Sequence, residues 1–224
     1  MSQESPSTLS HAIQARYGGL ASSCCSLSCG EALELSAPTR GEVFVDLGCG
    51  RGRDVVRAAG LVGTGGRAIG IDMTEEMLEA ARKGVPPFLA NVSFLRCDLA
   101  ALELSDQSAD VVISNCTINH APDKAAVYRE IHRALKPGGR FVVSDVIADK
   151  PLPESVRQDP GAWAACYGGA IPESEYRAAI EPAGFVGIEV LHRSAPYEKG
   201  GVLVRSLTVR GYRAAVANTR GGSR

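Results

Sequence analysis

The sequence has almost no net charge, no membrane-length apolar run and too few cysteines for a disulfide scaffold. Its 24 Lys and Arg offset 25 Asp and Glu, leaving a net charge of −1. That argues against a nucleic-acid binder driven by phosphate contacts, which needs a basic face. No stretch approaches the ~18 consecutive apolar residues of a spanning helix. Residues 1–10 are polar, without the basic start and apolar stretch of a secretion signal. Seven cysteines in 224 residues amount to about 3%, well under the roughly 8–10% of disulfide-built secreted domains. An odd count in a chain of this length points to reduced thiols with a chemical use, and to a cytoplasmic, reducing compartment. What is present is a globular composition, 45% apolar and 22% charged, with chain enough for a sizeable core.

Along the chain, Met1 to Thr8 is Ser-rich, and Leu9 to Tyr17 reads as a short helix ended by Gly18-Gly19. Ser22 to Gly30, SSCCSLSCG, shows no strong periodicity and reads as a loop. From Glu42 onward the pattern becomes regular. Strands are predicted at Val43–Leu47, Arg67–Asp72, Val92–Cys97, Ala109–Ser114 and Arg140–Val146. Helices are predicted from Arg53 to Leu61, from Thr74 as N-cap to Lys83, and from Asp123 to Leu135, the last stopped by Lys136-Pro137-Gly138-Gly139. Alternation at this spacing predicts a parallel sheet with helices on both faces. After Asp149 three prolines break the texture; Ser174 to Glu181 reads as helix, and Val186–Leu191 with Val202–Arg210 as an antiparallel strand pair closing the sheet. The expected fold is α/β, Rossmann-like, with a seven-stranded, mostly parallel sheet. Its expected divisions are an N-terminal helix and cysteine loop over 1–40 and the main domain over 41–212, with 150–183 as a substrate-covering insertion. A disordered tail over 213–224 completes them.

The most informative stretch is Phe44-Val45-Asp46-Leu47-Gly48-Cys49-Gly50-Arg51-Gly52. Glycines directly after a strand let the backbone approach a ligand, and the following helix offers free N–H groups. The dinucleotide fingerprint G-x-G-x-x-G does not fit, because its third glycine would fall at Arg53. D-x-G-x-G-x-G instead resembles the first motif of the class I S-adenosylmethionine-dependent methyltransferases. The resemblance implies S-adenosylmethionine as cofactor and S-adenosylhomocysteine as product, with Asp46 near the ligand's amino group and Gly48, Cys49 and Gly50 beneath its amino-acid portion. It implies that Asp72, a bidentate acceptor, holds the ribose hydroxyls, with Met73 against the adenine and Asp98 with Leu99 reading its edge. Asn115 falls near the methionine moiety, and Tyr17 joins this set from the N-terminal segment.

Of the thiols, Cys49 and Cys97 read as small buried residues beside cofactor positions. Cys116 falls at the carboxyl end of the fourth strand, the edge where open α/β sheets bind ligands. Cys166 lies in the proline-broken region that could fold over that edge. SNCTINHAPDK, WAACYGGAI and a Tyr-Gly pair followed by paired cysteines are similar to the arsenite methyltransferases, over about Tyr17 to Tyr212. The resemblance implies a detoxifying transfer of a methyl group to thiol-bound trivalent arsenic. Cys116 and Cys166 would be metalloid ligands, and Cys24, Cys25 or Cys29 would complete or relay the set, with Cys25 grouped with Cys116 and Cys166 as catalytic. Soft thiolates suit a soft metalloid. Once bound through sulfur, arsenic keeps a lone pair to attack a sulfonium methyl, so no general base is required. Many relatives place another cysteine before the first motif, whereas Glu31 to Val43 contains none here. A third thiolate therefore falls to the N-terminal three.

The implied partners are arsenite or its thiol conjugates and a thiol reductant such as glutathione or thioredoxin, with no nucleic acid and no membrane. No zinc site is assigned, since adjacent cysteines chelate one tetrahedral ion poorly. Two other functions remain open on the residues alone. One is methylation of a small organic acceptor, with His120 as the base; the other is a non-catalytic metalloid or thiol sensor on the same fold. His11, His132 and His192 read as surface or helix-face residues.

Overall fold

The computed structural model describes residues 8–21 and 31–216. In chain order the elements are α1 (Thr8–Leu20), α2 (Ala32–Ser36), β1 (Val43–Leu47), α3 (Arg53–Val62), β2 (Arg67–Asp72), α4 (Glu75–Lys83), β3 (Val92–Arg96), β4 (Ala109–Asn115) and α5 (Lys124–Ala134). They continue with β5 (Leu135–Ala148), α6 (Glu154–Arg157), α7 (Pro160–Ala164), α8 (Glu173–Ile180), β6 (Phe185–Arg193), β7 (Tyr197–Lys199) and β8 (Val202–Arg213).

The sheet runs β3-β2-β1-β4-β5-β8-β6, with the three-residue β7 paired to β8. Strands β1 to β5 are parallel, and β8 runs antiparallel to both β5 and β6. The seven-strand path matches expectation, and the eighth strand is the short β7. Strand order reverses between β1 and β4, so the crevice beyond their carboxyl ends is where this topology binds ligands. Because helices cover both faces, the central strands bury nearly every residue, and VFVDL and ADVVIS are near-continuous apolar runs. On one face Tyr128 and Ile131 of α5 and Tyr176 of α8 pack against Val112, Phe141 and Val143. On the other, Leu33 of α2 and Val55, Ala58 and Val62 of α3 pack against Phe44, Val111 and Val142. Each such fully buried large side chain contributes roughly 1.5–3 kcal/mol of transfer free energy.

Several local expectations are corrected. Helix α1 runs through Gly18 and Gly19 to Leu20 instead of stopping before them; tertiary packing holds it, with Gly18 seated against the Glu76 side chain of α4. Helix α2 was not anticipated. Its C-terminal carbonyls at Ser36 and Ala37 accept from the Arg140 guanidinium, which also pairs with both carboxylate oxygens of Glu42. Thr74 occupies the N-cap of α4 but makes no capping bond; its N–H instead donates to Asp72 Oδ1 at 2.9 Å. Lys136-Pro137-Gly138-Gly139 is not a turn before β5. It is a bulge within it, between the pairs Ala109–Leu135 and Val111–Arg140. The expected tail starts too early as well: Arg213 ends β8 and donates from Nη1 to the carbonyls of His132, Arg133 and Leu135, closing the end of α5. Among the described residues no helix is long and apolar enough to cross a membrane.

Candidate active site

The loop after β1 is strapped onto the end of β2. Gly48 N–H and Cys49 N–H both donate to Ile71 O, at 2.7 and 2.9 Å. Asp72 accepts from Gly50 N–H through Oδ2 at 2.9 Å while its Oδ1 holds Thr74. Gly48 is required here. Its φ is +72°, and a Cβ would stand 2.1 Å from Thr117 Oγ1 on the loop after β4. The two strand-end loops therefore interlock.

Above them lies a cavity of about 360 Å3, with Gly48, Gly50, Asp72 and Met73 along one side. Asp98, Leu99 and Asn115 line it from the ends of β3 and β4, and Tyr17 closes it from α1. Each Asp72 oxygen already takes one backbone N–H and keeps further acceptor capacity. Burial pushes its carboxyl upward, against the lowering effect of the backbone donors at Thr74 and Gly50. Asp98 Oδ1 accepts from Ala100 N–H at 2.8 Å. Asn115 Nδ2 donates to Asp54 Oδ2 at 3.4 Å, while its buried Oδ1 has no partner among the described residues. An orphaned acceptor in a cavity wall suits a donor on a bound molecule. The wall thus offers a bracketed carboxylate for a diol, a second acid for an amine edge and a free amide oxygen for an ammonium group, which fits a nucleoside joined to an amino acid.

Two residues expected at the cofactor are elsewhere. Asp46 is 4% exposed and lies behind the loop, outside the cavity wall. Burial first, and then Asp54 and Asp72, push its carboxyl well above the usual carboxylate range. The Cys49 side chain turns into the sheet, where a Cβ on Gly70 would meet its sulfur at 2.8 Å, and it packs in the core beside Phe44 and Leu78. Only backbone from this position can serve a ligand. Cys97 is half-buried against the main core, as its reading as a packing residue predicts.

Cys116 follows β4 in the left-handed region, φ +55°, its N–H donating to Ser144 O at 2.7 Å. Cys166 follows α7 with φ +67°. Such backbone costs on the order of 1–3 kcal/mol for a non-glycine residue and persists where surroundings impose it. Only Ala37 and Gln107 share it among the described non-glycine residues. Cys166 is drawn in by the glycines that follow. A Cβ on Gly169 would stand 2.0 Å from Asn119 O, and one on Gly168 would stand 2.5 Å from the Trp163 nitrogen. The close approach sets the Cys166 sulfur 3.3 Å from His120 Nε2 and 3.0 Å from the Tyr17 hydroxyl, which is itself 3.2 Å from Nε2. Tyr17 and His120 also stack edge-on, with ring centroids 5.5 Å apart.

This three-residue cluster was not foreseen. Tyr17 was expected with the cofactor, and it does line that cavity, but its hydroxyl is committed to the thiol. His120 enters the sequence reading only as the base for an organic acceptor. Burial pushes it down to about 4, the Trp163 carbonyl opposing and Lys124 reinforcing, so the ring is neutral at pH 7. Nothing in the local sequence pairs residues so far apart. Cys24, Cys25 and Cys29 lie outside the described residues. Among the described residues no group of three His, Cys, Asp or Glu side chains could hold a metal ion, and Cys49 and Cys97 are free thiols.

Comparison with known proteins agrees with this geometry. A family model described as a methyltransferase domain matches residues 38–188. The chain is 41% identical over 165 residues to an arsenite methyltransferase of Halobacterium salinarum, covering 73% of this chain and 42% of that one. It is 35% identical over 193 residues to the arsenite methyltransferase of Mus musculus, covering 82% and 48%. It thus spans less than half the length of these curated relatives. Among solved structures, an arsenic(III) S-adenosylmethionine methyltransferase from Chlamydomonas reinhardtii superposes with a TM-score of 0.70 at 30% identity, covering 92% of this chain and 74% of that one. With its strand order, glycine loop and paired edge thiols, the chain belongs to the arsenite S-adenosylmethionine methyltransferase family of class I methyltransferases.

Proposed function

We propose that this chain transfers a methyl group from S-adenosylmethionine to trivalent arsenic held on its thiolates. The observation that carries the reading is the gathering of Cys116 and Cys166 around Tyr17 at the cofactor cavity. Both thiols sit in strained left-handed backbone, and both act on the Tyr17 hydroxyl electrostatically. Strain at two sulfurs of one site is a cost that packing alone does not require.

Asp72 holds the ribose hydroxyls, Asp98 and Leu99 the adenine edge, and Asn115 Oδ1 the methionine ammonium, over the backbone of Gly48 and Gly50. When bound, S-adenosylmethionine supplies an electrophilic sulfonium methyl. Cys116 and Cys166 hold arsenic as thiolates, and an N-terminal thiol, Cys25 or its neighbours Cys24 and Cys29, completes or delivers the substrate. Thiolate binding leaves the arsenic lone pair as nucleophile, so these residues act by positioning. The segment 150–183 serves as the substrate cover, because α7 packs on α1 and Cys166, which follows α7, meets Tyr17 of the cavity wall. A cytoplasmic thiol reductant such as glutathione or thioredoxin keeps these sulfurs reduced between turnovers.

The test is S-adenosylhomocysteine formation with and without arsenite in excess thiol, for the wild type and for Cys116→Ser and Cys166→Ser. Arsenite-dependent turnover that both variants lose while still binding S-adenosylhomocysteine is the expected result. Unchanged methylarsenic output in either variant removes the site. Turnover without arsenite would indicate an organic acceptor, and arsenite binding without turnover a sensor.

A further inference from the structure

A second cavity, of about 260 Å3, shares Cys116 with the first. Its floor is one face of the C-terminal half of the sheet. Ser144 of β5, Thr208 of β8 and His192 of β6 are register partners in a single row. Ser206 shares that face by the two-residue strand period, and Ser194 joins it through the Ser194 N–H to Ser206 O bond. Ser144 Oγ and Thr208 Oγ1 are hydrogen-bonded at 2.8 Å, both buried. Glu31 and Leu35 form the opposite wall.

The chemistry of this wall is selective. It presents four hydroxyls, a histidine and the acid Glu31, and no lysine or arginine among the described residues that line it; the Asp145 carboxylate turns to the other face of the sheet, where it accepts from the Tyr176 hydroxyl. An anion finds no countercharge there and meets the Glu31 carboxylate. An aromatic acceptor finds only Leu35 and Cys116 as apolar side chains, in a wall that is about half polar. A small neutral molecule rich in hydroxyls is the class that fits, since each wall hydroxyl can both donate and accept. Arsenic trihydroxide is neutral at pH 7, carries three hydroxyls and needs the space of only a few waters, about 30 Å3 each.

We propose that this cavity receives arsenic trihydroxide and presents it to Cys116 for the first ligand exchange; the inference rests on the arsenite reading above. In the exchange the Cys116 sulfur–arsenic bond forms as one arsenic–oxygen bond breaks. The thiol proton leaves on the departing oxygen as water. Arsenic stays trivalent, so no oxidant or reductant is consumed. Arsenic triglutathione, with its many carboxylates, is refused by this wall and reaches the thiols through the cofactor-side cavity. The two substrate forms therefore enter by different routes.

The chain's single tryptophan, Trp163, stands three residues from Cys166 and reports capture by stopped-flow fluorescence. Thr208→Val keeps volume and removes a hydroxyl; Ser206→Ala removes another without touching the Ser144–Thr208 bond. Both variants are expected to slow arsenite capture at least threefold, leaving capture of arsenic triglutathione and the affinity for S-adenosylhomocysteine unchanged. Slowing below threefold, or equal slowing of both arsenic forms, overturns the subsite. If Thr208→Val no longer binds S-adenosylhomocysteine, Ser206→Ala alone decides. Failure of the wild type to capture either form would bring down the arsenite reading itself. Wild-type capture and methylation with unaffected variants would bring down only the subsite.

Discussion

The Tyr17 hydroxyl lies 3.0 Å from the Cys166 sulfur and so joins α1 to a residue 149 positions away. Burial first, and then Cys166, push the phenol upward, so it stays protonated and able to donate. A neutral donor beside a sulfur stabilises the thiolate form and orients it. The contact thus ties the N-terminal helix to metalloid binding as well as to the cofactor cavity it closes.

Tyr17→Phe keeps the ring in the cavity wall and deletes this hydrogen bond. The expected loss in arsenite kcat/KM is about ten- to 150-fold, the worth of a hydrogen bond to a charged group, about 1.5–3 kcal/mol. Calorimetric affinity for S-adenosylhomocysteine should stay within about twofold. If affinity falls in step with turnover, Tyr17 acts through the cofactor instead.

Asp72→Asn keeps the shape of the side chain but gives it an NH2 group where Gly50 N–H or Thr74 N–H donates. Two donors then face each other, and the charge on the ribose acceptor is lost. Cofactor binding should weaken by about 1.5–3 kcal/mol, measured by titration calorimetry. An unaltered Kd would show that the carboxylate serves only the loop.

Asp46 yields a pH-dependent prediction. Its folded carboxyl is raised, burial being the first cause, so the native state binds the proton more tightly than the unfolded chain. Ionisation therefore costs stability, beginning as pH rises through the unfolded carboxylate range near about 4 and growing until the folded group titrates. Asp46→Asn should melt higher than the wild type at pH 7, by about 2–4 °C for each kcal/mol relieved. The two melting curves should converge below about pH 4. A wild type as stable as the variant at pH 7 refutes the assignment.

Gly169→Ala puts a methyl 2.0 Å from Asn119 O and against the Trp163 ring. Overpacking of this kind costs about 1–3 kcal/mol, and relief requires the Cys166 loop to lift. Arsenite turnover should drop further than thermal stability does, with S-adenosylhomocysteine still bound. Melting temperature and turnover measured on the same preparation separate the two effects.

Local pattern was sufficient for the five parallel strands and for the ligand edge. Covered strands must be apolar throughout, and glycines after a strand announce close approach by something else. Asp72, Asp98 and Asn115 were legible as cavity-lining positions because each is a polar residue at or just past the carboxyl end of a parallel strand. Asp46 lies within β1 behind the loop and Cys49 turns into the core, as its reading as a small buried residue predicts; only the packed fold shows which way each side chain turns. The bulge at residues 136–139 reads as a turn because the sequence signature, proline with paired glycine, is the same for both; pairing with β4 makes the difference.

The sequence by itself determined the class of fold and the chemical character of the site, since strand periodicity, glycine spacing and sulfur are local properties of the chain. Tertiary structure alone decided which groups meet. The contact of Tyr17, His120 and Cys166 depends on α1 lying against α7, and the hydroxyl-lined cavity beside Cys116 depends on the register of β5, β8 and β6. Both are long-range pairings, set by the burial of whole elements, and no stretch of sequence carries them.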